Sequence, residues 1–319
     1  MKHLVQFSTG AASAEVAWRI VARHGPADVV LMSADTLVEH PDNWRFATEV
    51  ADRLGCEWVR LADGRTPMQV GRDLRVVPNN RMAVCSRVLK RELLWKYMEE
   101  HYDPANSIVY LGFDWSEPHR FTAAEGHWAP WTVQAPLMDP PYLWKRDILD
   151  GWRERGIEPS VLYAQGFQHS NCAGACVRGG QAQWSLLLQV DRTRYLDWEN
   201  EEQKSRDELG KDVSILRDRT KPVVVSEGTD CDCAWAEPGI DADDFIDGGG
   251  DLPTPADCPK CHNTGTIGRL VLDDRNTRPL TLRDFRERIE RQPSMFDADD
   301  WGACGCFMTE EAAAPAVTS

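Results

Sequence analysis

The chain has 319 residues, a mass of 36.0 kDa and a formal charge of −15 at pH 7, with 51 acidic against 36 basic residues. This length predicts one large domain or two ordinary ones with a sizeable core. A net negative charge of this size disfavours broad binding to duplex DNA or anionic membranes, although a local basic channel stays open. The apolar run 185–190 is too short to cross a bilayer, and residues 1–7 lack the features of a secretory signal, so we expect a cytoplasmic protein with no membrane partner.

Short apolar runs alternate with helical patterns over the first 112 residues, which predicts an α/β fold with a doubly wound, mostly parallel sheet. In chain order the predicted elements are strand 3–8, turn 8–13, helix 13–22 with Ser13 as its N-cap, strand 28–32, helix 43–54, strand 57–61, helix 81–101 and strand 107–112. Ligands of such sheets bind at the carboxyl ends of the strands. We therefore expect the turn 8–13, Asp35 and the loop 112–120 to share one mouth.

The sequence changes character after residue 142. Helical patterns cover 144–155, 176–190 and 280–291, and residues 191–209 are highly charged. Residues 226–268 have the composition of an insertion, and the apolar runs 223–225 and 270–272 on either side could pair as a hairpin. The acidic, glycine-rich middle of that insertion predicts a mobile loop.

Ten cysteines are the most informative residue count. Two stand alone, of which Cys56 is predicted to be an inert core thiol, and eight form close pairs: Cys172 and Cys176, Cys231 and Cys233, Cys258 and Cys261, Cys304 and Cys306. In a cytosolic protein such pairs favour metal ligands or redox groups over disulfides. The pairs at 231–233 and 258–261 suit tetrahedral Zn²⁺, and residues 258–265 are similar to the zinc knuckles of the DnaJ cysteine-rich region. A reduced loop without metal is the alternative.

The turn Ser8-Thr9-Gly10-Ala11-Ala12-Ser13 joins the first strand to the first helix. Its small side chains let the backbone approach a phosphate, and the helix N-terminus offers N–H groups and a favourable dipole. An ordinary tight turn fits this stretch equally well when it is taken alone.

Together with four later stretches, this turn resembles the phosphate loop of the PP-loop superfamily (adenine nucleotide alpha-hydrolase-like proteins), in the branch of PAPS reductases and ATP-pyrophosphatase sulfurtransferases. The four stretches are 30–36 ending near Asp35, 85–90 reading Cys-x-x-x-x-Lys, 111–120 with Gly112, Glu117 and Arg120, and a tail made of 136–137, 144–148 and 162–167 before Cys172. The resemblance covers residues 1–180. It departs from the family pattern at Thr9, where the family has glycine, and at Ala12, where the missing Asp weakens the case for Mg²⁺-assisted attack on ATP.

The resemblance implies a set of site residues. ATP or a related adenine nucleotide with Mg²⁺ would bind at Ser8, Thr9, Gly10, Ala11, Ser13, Asp35, Gly112 and Glu117. The groups proposed for catalysis are Lys90, Arg120, Cys304 and Cys306. A [4Fe–4S] cluster would be held by Cys85, Cys172, Cys176 and one of Cys304 or Cys306, with the other terminal cysteine as sulfur carrier or redox nucleophile. A three-thiol cluster with an open iron, or core cysteines with no cluster, are the alternatives.

We therefore predict an adenine-nucleotide-dependent enzyme of sulfur chemistry that transfers sulfur to a nucleotide or nucleic acid, with a sulfur or electron donor such as a thiol protein as partner. A PAPS- or APS-type reductase releasing sulfite is one alternative, and a catalytically inactive nucleotide- or nucleic-acid-binding regulator is another. The oligomeric state stays open, a homodimer being one option. Trp115, Trp128 and Trp131 are expected at the mouth, where they could stack on a base.

The predicted organisation follows from these assignments. A nucleotide-binding α/β domain spans 1–180, a helical extension 181–225, an inserted zinc-knuckle hairpin 226–268, a segment closing the cysteine site 269–308, and a disordered tail 309–319.

Overall fold

The computed structural model describes residues 1–219, 229–230, 266–267 and 277–291, with the backbone alone at 119, 120, 123, 219, 229, 230, 266, 267 and 277. The chain divides into two units, one made of Met1–Leu216 with Leu280–Ser319 and the other of Arg217–Pro279. The predicted zinc cysteines, Cys304, Cys306, the predicted hairpin strands and the predicted disordered tail all lie outside the described residues.

Five parallel strands form the sheet of the first unit, in the order β3-β2-β1-β4-β5. The strands are β1 Lys2–Gln6, β2 Val29–Asp35, β3 Glu57–Ala62, β4 Ser107–Tyr110 and β5 Thr132–Gln134. The predicted doubly wound parallel α/β arrangement is confirmed for this part of the chain. Because the strand order reverses between β1 and β4, the crevice for a ligand lies at the carboxyl ends of these two strands.

Ten α-helices are described: α1 Ala11–His24, α2 Pro41–Leu54, α3 Pro67–Asp73, α4 Leu93–His101, α5 Pro118–Trp128, α6 Lys145–Glu154, α7 Val161–Ala164, α8 Gln181–Val190, α9 Arg192–Leu209 and α10 Leu282–Arg291. A π-helical segment, Ser86–Glu92, runs directly into α4. Short 3₁₀ turns occur at Pro26–Asp28, Pro104–Asn106 and Asn171–Gly174. None of the described helices is long and apolar enough to span a bilayer.

Three apolar clusters make the core of the first unit. Alternate residues of β1 point to opposite faces, so Val5 packs with α1, α2 and α6 while Leu4 packs with α4 and α5. The third cluster joins α8, α9 and α10, with Trp184, Tyr195 and Phe285 fully buried in it. The two clusters on the sheet fix the strand ends and thereby the position of the crevice.

Several predicted boundaries are wrong for local reasons. Helix α1 begins at Ala11 with Gly10 as its N-cap, and Ser13 lies inside the first turn, where its Oγ donates to the Gly10 carbonyl at 2.9 Å. The helix predicted from residue 81 starts later, because Asn79 Oδ1 accepts the backbone N–H groups of 81 and 82, each at 3.0 Å. The helix predicted from 176 begins at residue 181, after the glycines at 179 and 180. The sequence patterns do not predict helices α3, α5 and α7 or strand β5.

Two small pairs of strands lie between residues 216 and 280, most of which form the second unit. Strand β6, Leu216–Arg219, pairs with β9, Thr277–Leu280, and Asp218 and Arg278 form an ion pair at 3.0 Å. Strand β7, Thr229–Asp230, pairs antiparallel with β8, Thr266–Ile267. The two ends of the predicted insertion are therefore brought together by the backbone.

Candidate active site

A cleft of about 570 Å³ opens at the carboxyl ends of β1 and β4. Its lining includes the turn after β1, the loop after β4, Cys85 with the π-helical segment that follows it, the start of α6, and residues between Tyr163 and Gln183. Of the residues named from the sequence, the turn 8–13 without Thr9, Gly112, Glu117, Lys90 and the cysteines Cys85, Cys172 and Cys176 line this cleft.

The turn after β1 is tied together by hydroxyl groups. Ser8 Oγ donates to Ser13 Oγ at 3.2 Å, and the Ala11 N–H donates to the Tyr163 hydroxyl at 3.1 Å. A Cβ atom at Gly10 would lie only 3.2 Å from the Tyr163 hydroxyl. Glycine at this position therefore lets Tyr163 reach the N-terminus of α1.

Thr9 occupies a backbone conformation that suits glycine. Its φ is +64°, in the left-handed region, and its side chain is buried. A β-branched residue rarely adopts this conformation, whereas glycine does so at no steric cost. Thr9 is therefore a strained residue in this turn.

The cleft thiols differ in their protonation. Burial raises the pKa of Cys85 to about 11. The thiol of Cys172 donates a hydrogen bond to Cys176, which lowers the pKa of Cys176 and raises that of Cys172, while the backbone at Arg178 and the ammonium of Lys90 favour the Cys176 thiolate further. Cys176 is also the most exposed of the three, so it is the thiol best suited to act as a nucleophile.

Glu39 is a buried carboxylate of the site that the sequence reasoning missed. Its Oε2 accepts the Cys172 backbone N–H at 2.6 Å, and its Oε1 accepts from Thr36 Oγ1 at 3.1 Å and from Lys90 Nζ at 3.4 Å. Burial lowers the pKa of Lys90, but Glu39 and the neighbouring thiols raise it more, so the ammonium stays charged. The only available signal was an acidic residue shortly after a strand end.

The segment that carries the thiols makes a left-handed turn. Cys172, Ala173 and Gly174 have φ values of +51°, +52° and +86°. A Cβ at Gly174 would lie 2.6 Å from the Phe167 ring, and the Gly174 carbonyl accepts from Gln183 Nε2 at 2.7 Å. This turn, anchored at its start by Glu39, aims both thiols at the cleft.

Other predicted site residues lie elsewhere. Asp35 is tied to Arg60 at 2.5 Å and to the Leu37 N–H at 2.8 Å, and does not line the cleft. The side chain of Arg120 is not described. The expectation that Trp128 and Trp131 lie at the mouth is wrong, because both are buried in the core beside α4 and α5.

Two further expectations concern the thiol of Cys56 and the predicted metal ligands. Cys56 is half-buried and burial raises its pKa to about 11, as expected of an inert thiol. Within the described ranges, no three or more histidine, cysteine, aspartate or glutamate side chains are grouped closely enough to hold a metal ion. The described residues therefore give no support to the predicted iron–sulfur cluster, and Cys304 and Cys306, one of which would complete it, lie outside them.

Comparison with known proteins finds no matching family model and no match among curated proteins. Two similar solved structures are a phosphoadenylyl-sulfate (PAPS) reductase from Candida auris in a phosphate complex, and an NH3-dependent NAD synthetase from Campylobacter jejuni subsp. jejuni in complex with nitrate. The first is 13% identical, with a TM-score of 0.37, and covers 53% of this chain and 80% of its own. The second is 16% identical, with a TM-score of 0.32, and covers 66% of this chain and 87% of its own.

Both likenesses are weak, and neither carries a statement about the chemistry of this chain.

Proposed function

We propose that this chain is an adenine-nucleotide-dependent enzyme of sulfur chemistry, which transfers sulfur to a nucleotide or nucleic acid at the expense of ATP. One observation supports this most directly. The small-residue turn at the start of α1 and the thiols of Cys85, Cys172 and Cys176 line the same cleft. A nucleotide with its phosphates on that turn would therefore place its reacting end close to a thiolate.

Different groups of the cleft would bind the phosphates and stabilise the leaving group. Gly10 and the N-terminus of α1 would receive the phosphates. Lys90, Lys145 and Arg178 also line the cleft, where cations stabilise the charge that develops on a leaving phosphate. ATP would adenylate an oxygen of the acceptor with release of pyrophosphate, and a sulfur nucleophile would then displace AMP from that position.

The finer assignments from the sequence stay part of this proposal. They include Mg²⁺ with the nucleotide, Glu117 and Arg120 at the mouth, a cluster completed by Cys304 or Cys306, and zinc in the insertion. They also include a thiol-protein donor, a cytoplasmic location and a homodimer as one possible assembly.

The nucleotide site is tested by titrating the anaerobically purified full chain with a non-hydrolysable ATP analogue in a calorimeter. Gly10→Val should weaken binding by about tenfold or more, because the added side chain meets the Tyr163 hydroxyl. Gly126→Val is the matched control, since a Cβ there meets nothing within 4 Å. Absence of binding by the unaltered chain would overturn the proposal.

The thiol chemistry is tested separately. Cys176→Ser should abolish sulfur transfer while leaving affinity for the analogue within about twofold. Cys56→Ser, which alters a thiol outside the cleft lining, should leave both unchanged. Nucleotide binding without any turnover would instead favour a catalytically inactive regulator.

Sulfonucleotide reduction is a second candidate, favoured by the hydrogen-bonded thiol pair Cys172 and Cys176. The Cys176 thiolate would attack the sulfur of the sulfonucleotide and release the adenosine phosphate, leaving an S-sulfonate on Cys176. Attack by Cys172 on the Cys176 sulfur would then release sulfite and leave a disulfide. With PAPS or APS as substrate, Cys172→Ser should therefore accumulate an S-sulfonate on Cys176, detectable by mass spectrometry. Sulfite release by the Cys176→Ser variant would contradict this candidate.

A further inference from the structure

Three aromatic side chains form a group at the surface beside the cleft, which we call the aromatic rim: Tyr142 and Trp144, which are exposed, and Trp115, which is half-buried. The ring centroid of Trp115 lies 4.6 Å from that of Trp144 and 6.2 Å from that of Tyr142. Tyr142 is 58% exposed and Trp144 is 44% exposed. Leaving this much aromatic surface in water forgoes the free energy of burying it, so a grouped set of this kind indicates a contact surface.

The rim is held in place by hydrogen bonds beneath it. Arg19 on α1 donates to the carbonyls of Pro136 at 2.9 Å, Asp139 at 3.2 Å and Pro141 at 2.7 Å, fixing the loop that leads to Tyr142. The backbone N–H of Trp144 donates to Asp147 Oδ2 at 2.8 Å, at the start of α6. The aromatic side chains are thus exposed on a fixed backbone, which reduces the entropy lost on binding a ligand.

The rim is continuous with the cleft. Asp114 and Lys145, the immediate neighbours of Trp115 and Trp144 in the chain, both line it. Lys145 Nζ lies 5.1 Å from the centroid of the Tyr163 ring, whose hydroxyl accepts from the first N–H of α1. A ligand on the rim would therefore extend toward the phosphate turn.

We propose that the aromatic rim binds unpaired bases of a single-stranded nucleic acid and so presents one of its bases to the cleft. This rests on the proposed function, and it names the acceptor class and the surface that receives it. Every base has a π-face that stacks on an aromatic side chain, whereas the bases of a duplex are already stacked on one another.

Two cations directly follow Trp144 in the chain. Arg146 is exposed and would lie near the phosphates of a stacked strand, while Lys145 lines the cleft that would receive the presented base. Among the nearby carboxylates, Asp114 accepts from Ser116 at 2.6 Å, Asp147 accepts from the Trp144 N–H, and Asp139 is exposed. The net charge of −15 disfavours duplex binding elsewhere on the surface.

The test uses fluorescein-labelled oligouridylate and oligodeoxythymidylate of about 12 nucleotides, titrated with the full chain and followed by anisotropy at fixed salt. The double variant Tyr142→Ala/Trp144→Ala should bind single strands about tenfold or more weakly, and Trp144→Phe alone should keep most of the affinity. The double variant Leu74→Ala/Val190→Ala is the control, because it removes exposed apolar side chains, 43% and 39% exposed, that do not line the cleft.

Three results would overturn the inference: no binding of either single strand by the unaltered chain, equal binding by the rim variant, or equally tight binding of a duplex. The ATP analogue is titrated in parallel, and its affinity should not change in the rim variant. If analogue and oligonucleotide binding fall together, the rim belongs to the adenine nucleotide site and the inference fails while the proposed function stands. If the unaltered chain binds oligonucleotide through the rim but no analogue, the proposed function fails.

Discussion

At the scale of single residues, Glu39 organises the cleft without lining it. One carboxylate joins the end of β2, through Thr36, to the π-helical segment, through Lys90, and to the left-handed thiol turn, through the Cys172 N–H. A buried acceptor with three donors is costly to remove, because each donor is left without a partner away from water. Glu39 is therefore the residue whose loss should most disturb the geometry of the thiols.

We expect Glu39→Gln to lower the free energy of unfolding by about 1–3 kcal/mol, because the amide cannot accept from both Lys90 and the Cys172 N–H. The Glu39 side chain is 4% exposed, so water cannot replace the lost acceptor readily. Glu92→Gln is the matched control: it breaks the exposed pair with Arg87, whose atoms lie 2.7 Å apart, and should cost less than about 0.5 kcal/mol. Urea denaturation of both variants measures the difference, and equal losses would contradict the role given to Glu39.

The turn 8–13 and Glu39 differ in how far the sequence predicts their roles in the site. The turn 8–13 was predictable because its small residues are contiguous and follow an apolar strand. Glu39 was not, because it is separated from Lys90 by 51 residues and from Cys172 by 133. No local pattern encodes a contact across that distance.

At the scale of elements, Glu202 on α9 clamps two distant segments. Its Oε1 accepts the Ile215 N–H at 2.7 Å, just before β6, and its Oε2 accepts the Leu282 N–H at 2.6 Å, at the start of α10. The charged pattern of residues 191–209 does not predict that Glu202 is buried with these two partners, because most of the carboxylates in this stretch face water. A carboxylate that is 1% exposed joins α9 to both segments.

Burial raises the pKa of Glu202 from 4.5 to about 7. A raised pKa means that the folded state holds the proton more tightly than the unfolded state. Protonation of Glu202 therefore contributes its full share to the free energy of unfolding below pH 4.5, and this share is lost as the pH rises through about 7. We expect up to about 3 kcal/mol of unfolding free energy to disappear over that window. Glu202→Gln should flatten this part of the pH dependence, as measured by urea denaturation across the range.

Glu201→Gln is the control for this pH effect. Its carboxylate is on the same helix but 43% exposed and paired with Arg72 at 2.7 Å. That variant should keep the pH dependence of the unaltered chain. A Glu202→Gln variant with the same slope as the unaltered chain would show that other groups produce it.

At the scale of the whole molecule, the chain separates into the unit Met1–Leu216 with Leu280–Ser319 and the unit Arg217–Pro279. The described cleft residues all belong to the first. The ends of the second unit are close, since Asp218 and Arg278 form an ion pair at 3.0 Å. This spacing permits the intervening chain to be replaced by a short linker.

We expect a variant in which residues 221–275 are replaced by a short Gly/Ser linker to stay folded and to bind the ATP analogue as the unaltered chain does. It should lose zinc, because Cys231, Cys233, Cys258 and Cys261 are the predicted ligands. Metal analysis should find about one zinc per unaltered chain. A full chain purified without zinc would contradict the predicted zinc site, and lost analogue binding would contradict the independence of the cleft.

The sequence by itself determined the features that depend on neighbours in the chain. Alternating apolar strands and helices fixed the parallel sheet, and the small residues after β1 fixed the turn at its crevice. The sheet and the turn could be predicted because backbone periodicity and side-chain size determine structure within a short stretch of the chain.

Only the tertiary structure decided which polar side chains meet. In the folded chain, Glu39 accepts the backbone N–H of Cys172 and Asp35 forms an ion pair with Arg60. Trp128 is buried, whereas Trp144 is exposed. These outcomes depend on packing between elements far apart in the chain, where hydrogen bonds and burial are set by the whole fold and no short pattern specifies them.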